Sequence, residues 1–454
     1  SLKSSMTNFA ERQLAGWGRF PTQNCHVARP EKQRELFAAV ADSQVQTLVA
    51  RGLGRAYGDA ALNLDSGVLL CEKMGAFLDF NEQTGVLHAQ GGASFADILE
   101  TFVPRGYFLP VAPGTKFITL GGAVACNVHG KNHHIDGSIS EFVEEIELLT
   151  ATGDILTLSR HDLAEEFWAT LGGMGLTGVI LSAKLRLMPI ETAYLRVSTT
   201  RTQNLDQTLD QFKREGEFRY SVAWLDCLAS GENLGRSVLI RGDHASPDEV
   251  VGEPLDFSPP RKRGVPLDFP DFVLNPASVT AFNSVYYASH PDGEKIMPFE
   301  PFFWPLDAVS GWNRIYGARG FIQYQCVLPH ETSRDGLKTL LETIATSGRA
   351  PFLAVLKVLG QADASPLGFP LAGHALSLDL AASEGVVEFA QSLDKIVLEF
   401  GGRNYLAKDA TLTASTMRQM YPRLGDFERV KARLDPNGRF SSSLSRRLEI
   451  GGAR

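Results

Sequence analysis

A short run of ionisable side chains, NVHGKNHH at residues 127–134, contains residue types that move protons and carry charge. Histidine can take up or relay a proton near neutral pH, because the pKa of an unperturbed imidazole is about 6.5. Lone histidines are more often structural, so the run alone does not assign a role to any one of them. A metal site is not expected, because neither a carboxylate nor a known ligand spacing accompanies the histidines.

The run lies within a longer stretch, residues 112–138, that is dense in Gly and Ala. Thr119 is a candidate N-cap for a short helix over LGGAVACNV. Small side chains on such a helix let a large flat ligand approach the backbone closely. The stretch therefore fits one wall of a cofactor site that leads directly to reactive side chains. A tightly packed helix followed by a polar surface loop explains the same residues equally well.

Length and composition favour a globular enzyme of about two domains. The chain has 454 residues, of which 44% are hydrophobic and 21% are charged, as is ordinary for soluble proteins. Its net charge of −8 argues against nucleic acid as the main partner, since that binding relies on basic surface. Five widely spaced cysteines without a CxxC pair favour a reducing compartment. We expect a cytoplasmic protein, with peripheral membrane contact left open.

Two glycine-rich loops flank the stretch. The first, RGLGRAYGD at residues 51–59, follows a predicted strand, and its backbone N–H groups can point at phosphate oxygens. It is neither a Rossmann fingerprint nor a Walker loop. The second, GGMGLTGVI at residues 172–180, follows a predicted helix and runs into a strand.

The remaining periodicity predicts an α+β fold in two domains. Residues 6–190 contain a helix over EKQRELFAAVADS, a strand, turn and helix over GVLHAQGGASFADILETF with Ser94 as N-cap, and a hairpin over EEIELLTATGDILTL. Residues 191–409 form a substrate domain with an antiparallel sheet built from YSVAWLDC, RSVLIRGD, GFIQYQCVL, FLAVLKVLG and HALSLDL. Two helices, ETSRDGLKTLLETIATS and SEGVVEFAQSLDKIVLEF, interleave with these strands. Residues 410–454 predict two helices that return to the first domain.

Two segments of the second domain, 244–270 and 291–305, lack periodicity and are predicted to be mobile loops. The second carries four aromatic side chains. They are Phe299, Phe302, Phe303 and Trp304. Three alternatives stay open for them: they line an apolar ligand channel, they touch a membrane, or they fold back onto the domain.

The two glycine-rich loops and the stretch between them, in this order, resemble the FAD-binding domain of the vanillyl-alcohol-oxidase (PCMH-type) flavoprotein superfamily. The closing segment, YPRLGDFERVKARLDPNGRF, is similar to the part of those proteins that returns to the FAD domain. Shorter matches resemble the oxidase subunits of the decaprenylphosphoryl-β-D-ribose 2′-epimerase systems; they are WLD at 224–226, LGR at 234–236, WNRIYG at 312–317, QYQ at 323–325 and YLAKD at 405–409. Sugar-lactone and alditol oxidases are the broader kin.

This resemblance implies a PCMH-type FAD-binding domain joined to an α+β substrate domain, and an FAD-dependent oxidation. In that family the 2′-hydroxyl of a ribose, linked through phosphate to a polyprenyl chain, becomes a ketone. A partner short-chain reductase then reduces the ketone to the arabinose epimer, and a quinone or another acceptor reoxidises the flavin. The alternative enzyme is an aldonolactone or alditol oxidase acting on a soluble sugar. A flavin- or partner-binding module without turnover is the third interpretation.

The resemblance also implies roles for single residues. Lys408 of YLAKD and His129 lie near the flavin as catalytic residues. A lysine acts as a base only if burial or a neighbouring positive charge lowers its pKa, and otherwise it stabilises an alkoxide. Gln323 and Gln325 alternate along one strand and so share a face. The sugar pocket is completed by Trp224, Lys357 and Ser377, with Lys131 as the candidate for the substrate phosphate.

Most of the implied FAD contacts come from the glycine-rich loops and the short helix. They are Arg51, Gly52, Leu53, Gly54, Arg55, Ala56, Tyr57, Gly58, Asp59, Gly114, Thr119, Leu120, Gly121, Gly122, Cys126, Asn127, Val128, His129, Gly175, Gly178 and Tyr405.

The flavin is predicted to be bound without a covalent link. Many members of the superfamily attach FAD to a histidine in a G-H-S context of the first loop, and here Gly54-Arg55-Ala56 stands in that place. Cys126 lies in a predicted helix and offers no replacement. Acid precipitation should therefore release all flavin into the supernatant, and flavin absorbance that stays with the precipitate would contradict this.

A second departure predicts resistance to nitroaromatic suicide inhibitors. Mycobacterial members carry an Asn and a Cys where this chain has Ala375 and Ser377, and the inhibitors attach to that Cys. A serine hydroxyl does not form the adduct. The intact mass of the protein should stay unchanged after incubation with such a compound, and a mass increase would refute the prediction.

Overall fold

The structure, a computed structural model, describes residues 6–214, 217–257, 263–264, 266–270, 273–310, 312–351 and 354–451. The elements of the first half are β1 (Ala10–Ala15), β2 (Thr22–Ala28), α1 (Gln33–Ala41), β3 (Leu48–Arg51), β4 (Gly67–Leu70), β5 (Phe77–Asn81), β6 (Val86–Gln90), α2 (Phe95–Phe102), β7 (Tyr107–Phe108), α3 (Leu120–Cys126), α4 (His133–Asp136), β8 (Val143–Leu149), β9 (Ile155–Leu158), α5 (Ala164–Thr170), β10 (Val179–Arg186) and β11 (Met188–Pro189).

The second half contains β12 (Tyr194–Thr202), α6 (Leu205–Phe212), β13 (Tyr220–Leu225), β14 (Ser237–His244), β15 (Arg263–Gly264), α7 (Pro276–Ser289), β16 (Gly293–Pro298), α8 (Phe299–Phe303), β17 (Val309–Ser310), β18 (Phe321–Pro329), α9 (His330–Thr346), β19 (Ala354–Leu359), β20 (Gly373–Ala381), α10 (Val386–Glu399) and β21 (Arg403–Asn404). The C-terminal helices are α11 (Ala414–Met420), α12 (Leu424–Leu434) and α13 (Ser443–Arg447).

Two sheets build the N-terminal part. The first has the strand order β1-β2-β4-β3, with β4 parallel to β2 and β3, and the second has the antiparallel order β5-β6-β10-β8-β9. The first glycine-rich loop leaves the end of β3, and α3 packs against β6 and β10. Both predicted cofactor elements are therefore carried by sheets rather than by long loops.

The predicted helix starts are confirmed. Ser94 Oγ accepts a hydrogen bond from Asp97 N at 3.1 Å, and Thr119 Oγ1 accepts one from Gly122 N at 3.1 Å. Each bond satisfies a backbone donor that the first helical turn leaves unpaired.

The five strand-like runs of the second half all form strands of one eight-stranded sheet, ordered β16-β12-β14-β13-β19-β20-β18-β21. Side chains of alternating residues point to opposite faces. Tyr324 of β18 donates from its hydroxyl to Asp394 of α10 at 2.6 Å, so its face is covered by helices. The adjacent residue, Gln325, reaches His129 of the first domain. The second face of the sheet therefore closes onto the cofactor elements.

The segment 291–305 differs from the irregular loop that its sequence predicts. Its first part pairs with β12 as the edge strand β16, and α8 follows directly. The four aromatic side chains pack in one core cluster with Phe108 and Tyr220, at 1%, 5%, 3% and 2% exposure for Phe299, Phe302, Phe303 and Trp304. Of the three alternatives, folding back into the protein is the one observed. The pairing is with a strand about 100 positions away, which local periodicity does not reveal.

The other predicted loop, 244–270, is partly regular. His244 still belongs to β14, residues 247–249 form a short 3-10 turn, and β15 pairs in parallel with β17. Residues 258–262 and 265 of this prediction lie outside the described residues.

The C-terminal segment contains three helices instead of two, because Ser442 caps the additional short helix α13 through Ser445 N. It contacts β3 of the first half of the chain, since Leu48 N donates to Arg439 O at 2.8 Å. In the described part of the chain, no helix has both the length and the apolar character needed to cross a bilayer.

Candidate active site

The helix α3 has only small residues on its less buried face, here called the α3 wall. Gly121, Gly122, Ala125 and Cys126 share one half-buried face, whereas the opposite face is fully buried in the core. A Cβ built at Gly122 would meet only Thr119 Oγ1 within 4 Å, at 3.2 Å. The helix ends at Asn127, whose left-handed φ of 44° turns the chain towards His129.

The first glycine-rich loop packs between α3 and the segment that carries Lys408. A Cβ at Gly52 would lie 2.3 Å from Thr119 Oγ1, and one at Gly58 would lie 1.9 Å from Asp409 O. These contacts require glycine, because any side chain would have to occupy space already filled by the neighbouring atoms. Close packing therefore fixes the loop on both sides.

Asp59 and Asp409 are joined by one arginine of α13. Arg447 Nη2 lies 2.8 Å from Asp59 Oδ1 and 2.8 Å from Asp409 Oδ2, and its Nε donates to Asp59 Oδ2 at 3.0 Å. The carboxylate of Asp59 is thus bonded to protein, and its predicted contact with the cofactor stays a prediction. Arg447 was not predicted as a site residue, because no local pattern in the sequence indicates its pairing with Asp59 and Asp409.

The second glycine-rich loop supports α3 from behind. Gly172 N donates to Val124 O at 3.1 Å and Met174 N donates to Ala125 O at 2.9 Å, which satisfies carbonyls at the end of the helix. Gly175 has a φ of 77°, a backbone conformation that favours glycine. A Cβ at Gly178 would meet Leu149 O at 2.4 Å, so this residue packs on β8.

His129 is buried at 5% exposure at the junction of the two domains. Its Nε2 lies 3.4 Å from Gln325 Nε2, which can only donate, so the imidazole nitrogen accepts and the proton of the neutral ring resides on Nδ1. Nδ1 is buried and has no hydrogen-bond partner among the described residues. Burial, followed by the charge of Lys357, holds the pKa of His129 well below its usual value.

A loop of the substrate half holds this histidine region in place. Asp363 Oδ2 accepts from Asn127 Nδ2 at 2.6 Å and from Ser140 Oγ at 2.7 Å. Gly360 N donates to His133 Nδ1 at 2.9 Å, and burial lowers the pKa of that imidazole to about 4. Asp363 was missed by the sequence analysis, since nothing near it in the sequence marks its distant partners.

The side chain of Asn127 is therefore committed to protein contacts. His134 is likewise structural, because its Nε2 donates to Phe218 O at 2.9 Å.

The predicted sugar-pocket residues share one face of the large sheet. Trp224 is paired with Val355, Val355 with Ser377, and Ser377 with Gln325 across four neighbouring strands. Residues directly opposite in antiparallel strands project to the same side. In the flanking rows Lys357 is paired with Ala375, and Gln323 with Asp379. The register thus brings together residues from four separate motifs.

Lys131 lies apart from this row. Its Nζ donates to Phe302 O at 3.0 Å and to Phe303 O at 3.1 Å. Two of its three N–H groups hold α8, and one remains for an anion. Burial, with Lys357, lowers the pKa of Lys131 to about 7. Phosphate binding by this lysine stays a prediction.

Lys408 lies with its Nζ 4.0 Å from the centre of the Tyr57 ring. Burial lowers the pKa of Lys408 to about 7, and the neighbouring charge of Lys357 acts in the same direction. Burial also lowers the pKa of Lys357 to about 8. Neither amine has a hydrogen-bond or ion-pair partner among the described residues. Uncharged lysine is therefore available close to neutral pH.

Asp379 is a buried pocket residue that the sequence analysis did not identify. It is 1% exposed, accepts from Tyr316 OH at 2.8 Å and from Gln323 Nε2 at 2.9 Å, and burial raises its pKa to about 6. The available signal was its spacing of two residues from Ser377 in the strand HALSLDL. In the described part of the chain, no group of three or more His, Cys, Asp or Glu side chains is arranged to hold a metal ion.

Comparisons with known proteins agree with this geometry. A family model of the FAD binding domain matches residues 26–159, and one of D-arabinono-1,4-lactone oxidase matches residues 380–448. The chain is 36% identical over 452 residues to a decaprenylphosphoryl-β-D-ribose oxidase from Mycolicibacterium smegmatis, an alignment that covers 97% of this chain and 98% of the relative. It is 24% identical to an alditol oxidase from Streptomyces, covering 94% and 96%. It is 22% identical to an L-gulono-1,4-lactone dehydrogenase from Mycobacterium tuberculosis, covering 93% and 95%.

The residues present fit an isoalloxazine ring. The α3 wall lacks bulky side chains, and a Cβ built at Gly114 meets no atom within 4 Å. His129 Nδ1 is a buried donor that has no partner among the described groups, as expected beside a polar ligand edge. The cofactor is FAD. The α3 wall and the first glycine-rich loop would hold it, the second glycine-rich loop packs against α3, and the individual contacts stay predictions.

Replacing Gly122 should weaken FAD binding without unfolding the protein. In Gly122→Val the branched side chain extends over the α3 wall, so we expect FAD affinity to fall by at least about tenfold, equivalent to ~1.4 kcal/mol. Helix stability should not suffer, because valine is the better helix former. Flavin absorbance per protein after gel filtration gives the affinity, and thermal unfolding gives the stability.

The smaller change Gly122→Ala serves as a graded control. It should retain more flavin than the valine variant, because only Thr119 must accommodate the methyl group. Equal FAD content in wild type and both variants would contradict the assignment of this wall.

Proposed function

The chain belongs to the family of the decaprenylphosphoryl-β-D-ribose oxidases, FAD-dependent oxidoreductases that act on alcohol groups, and we propose that it oxidises the 2′-hydroxyl of a polyprenylphosphoryl-β-D-ribose to a ketone. The observation that supports this proposal is the closeness of two side chains of opposite halves of the chain. The charge of Lys408 acts on His129, which contacts Gln325 on the sheet face, and Lys408 in turn is affected by Cys126 of α3. Loss of two electrons and two protons converts the alcohol to the ketone, so the site has to supply an electron acceptor and a base.

Held by the α3 wall and the first glycine-rich loop, a bound FAD would supply the electron acceptor for the hydride of the carbinol carbon. The hydroxyl proton then needs a protein group. A general base works best when its pKa is close to the operating pH, and Lys408, with a pKa of about 7, meets that condition. The pKa of His129 is too far below the neutral range for the same task. We therefore assign the role of general base to Lys408. We assign an orienting role to His129, with its own Nδ1–H as the hydrogen-bond donor.

The neighbouring side chains suit a sugar. Gln323 and Gln325 present amide groups that can hydrogen-bond ring hydroxyls, and Trp224, which is 7% exposed, offers an aromatic face. The small half-buried residues of α3 would leave room for a flat cofactor beside the sugar. A substrate enclosed between the sheet and α3 would react with little water around it.

The charge of the pocket supports a phosphorylated substrate over a neutral one. The positive charge of Lys357 lowers the pKa values of His129, Lys131 and Lys408, and its own amine has no acceptor among the described residues. An anionic group of the substrate would supply the missing acceptor. A lactone or alditol would leave that amine unpaired, which is why the soluble-sugar oxidase is the second candidate.

The ketone needs a consumer and the reduced flavin needs an oxidant. We propose that a short-chain reductase reduces the ketone to the arabinose epimer, and that a quinone or another acceptor takes the electrons. A cytoplasmic location with peripheral membrane contact would place the chain within reach of a lipid-linked sugar.

The test is an anaerobic visible spectrum of the purified protein before and after a short-chain prenylphosphoryl ribose is added. Loss of the flavin band with the lipid sugar supports the proposal. Loss of the band only with aldonolactones or alditols would transfer the activity to the second candidate. A band that none of these compounds bleaches would overturn both.

Replacing Lys408 should slow flavin reduction. Because general-base catalysis contributes ~10²–10⁴-fold, we expect Lys408→Met to reduce the stopped-flow bleaching rate by at least about a hundredfold. In the wild type the rate should rise with pH through about 7, since the pKa of Lys408 lies there and only its neutral form accepts a proton. The variant should lose this rise.

Lys213→Met is the matched control, because that lysine is exposed near the end of α6 and forms a surface ion pair with Asp210 at 3.2 Å. It should bleach like the wild type. A Lys408→Met variant with an unchanged rate and pH profile would remove Lys408 from the reaction.

A further inference from the structure

Asp379 is a buried carboxylate on the pocket face of β20 that has no part in the chemistry above. Both of its oxygens are bonded: Oδ1 accepts from Gln323 Nε2 at 2.9 Å and Oδ2 accepts from Tyr316 OH at 2.8 Å. A buried ionisable group costs free energy unless its partners compensate for lost hydration. Two neutral donors compensate only in part, so its position at the pocket calls for a further explanation.

We propose that Asp379 is a positioning residue for the oxidation, which fixes the amide of Gln323 and balances the positive charge on Lys408. The inference rests on the proposed function in that it takes Lys408 as the base and Gln323 as a sugar ligand. It has a structural part, the orientation of one amide, and an electrostatic part, the charge state of one amine.

The structural part follows from the register. Gln323 and Asp379 are directly opposite each other on β18 and β20, so the contact between their side chains is short and well defined. An ionised carboxylate only accepts hydrogen bonds, so it selects the NH₂ end of the amide. Gln323 Oε1 is then available as an acceptor for a sugar hydroxyl. Without the carboxylate, the terminal torsion of glutamine has two broad minima and the acceptor is no longer fixed.

Tyr316 in turn fixes the carboxylate. It is 4% exposed and stacks on Phe321 with ring centres 4.2 Å apart. Its hydroxyl therefore has a defined position from which to donate to Asp379. The chain of contacts runs from a rigid aromatic pair through the carboxylate to the amide at the pocket.

The electrostatic part follows from the groups around Lys408. Lys357 opposes the protonated form of Lys408, whereas Asp379 and the thiol of Cys126 favour it, and the Tyr57 ring lies against the amine. Around Asp379 itself, the facing groups are the Tyr57 and Tyr316 hydroxyls, Gln323 and Lys408. Asp379 is thus the carboxylate that acts on Lys408 among the described residues, and its removal should make Lys408 a weaker base.

A second tyrosine–aspartate pair provides a matched control. Asp394 is 3% exposed and accepts from Tyr324 OH at 2.6 Å and from Asn404 Nδ2 at 2.7 Å, and burial raises its pKa to about 6. It lies on the helix-covered side of the same sheet. Asp394→Asn therefore removes a buried carboxylate of the same kind from α10, on the opposite side of the sheet, without changing the pocket face.

The experiment compares Asp379→Asn, Asp394→Asn and Tyr316→Phe in the purified FAD-loaded protein. We expect Asp379→Asn to raise the KM for the sugar substrate about tenfold and to move the rise of kcat/KM with pH at least about half a pH unit lower, because an attractive charge is lost. Asp394→Asn should leave both quantities near wild type, even if it lowers thermal stability. Tyr316→Phe should raise KM with little change in the pH profile, since the charge remains.

A second readout does not depend on turnover. The rate at which Lys408 is acetylated by isotope-labelled acetic anhydride, followed by mass spectrometry against pH, reports the fraction of neutral amine directly. The midpoint should move lower in Asp379→Asn alone. If the wild type oxidises no lipid sugar, this shift still tests the electrostatic part, and KM for an accepted lactone or alditol tests the amide.

The proposal is overturned if Asp379→Asn behaves like Asp394→Asn in both readouts, because Asp379 would then be structural only. If Asp379→Asn does not fold, Tyr316→Phe decides: an unchanged KM in that variant would show that the carboxylate does not need to be held for catalysis.

Discussion

The ion triad of Arg447 with Asp59 and Asp409 is the contact on which the site geometry depends. Asp59 ends the first glycine-rich loop, Asp409 follows Lys408, and both carboxylates are almost fully buried. Removing one partner of such a group leaves an uncompensated charge inside the protein, which is strongly unfavourable. The C-terminal helix α13 thereby connects the first glycine-rich loop to the segment that carries Lys408, the proposed base. The position of that segment relative to the loop depends on Arg447, a residue that lies outside both motifs.

A buried tyrosine–aspartate hydrogen bond occurs on each face of the large sheet, and it has a different consequence on each face. On its helix-covered face, Tyr324 and Asp394 satisfy each other inside a core. On its pocket face, Tyr316 and Asp379 form a similar bond. There the carboxylate also accepts from the amide of Gln323, and its charge acts on Lys408. The difference lies in what surrounds the pair. A buried polar pair in a core specifies packing, and the same pair in a pocket specifies hydrogen-bonding direction and charge.

Local sequence patterns predicted the helix caps and many of the strands, but they did not predict the long-range partners of these elements. The caps at Ser94 and Thr119 and the shared face of Gln323 and Gln325 depend on residues within a few positions, so the sequence sufficed for them. The strand and helix inside 291–305 depend on pairing with β12 and on a core built by the first domain. Asp363 and Asp379 act through partners more than 50 positions away. Tertiary contacts of this kind leave no periodic trace in the chain.

Burial explains how three lysines of this chain can lose their charge close to neutral pH. In water, each amine would stay charged at neutral pH, and none would act as a base. Burial first, and then the charge of Lys357, brings the pKa values of Lys131 and Lys408 to about 7, and burial brings that of Lys357 to about 8. Desolvation favours loss of a proton from a lysine that has no anion beside it. Where an anion is present, desolvation strengthens the attraction between that anion and the protonated lysine. An anionic group beside Lys357 would hold that amine charged, while Lys408, balanced by Asp379, stays close to the point at which it exchanges its proton.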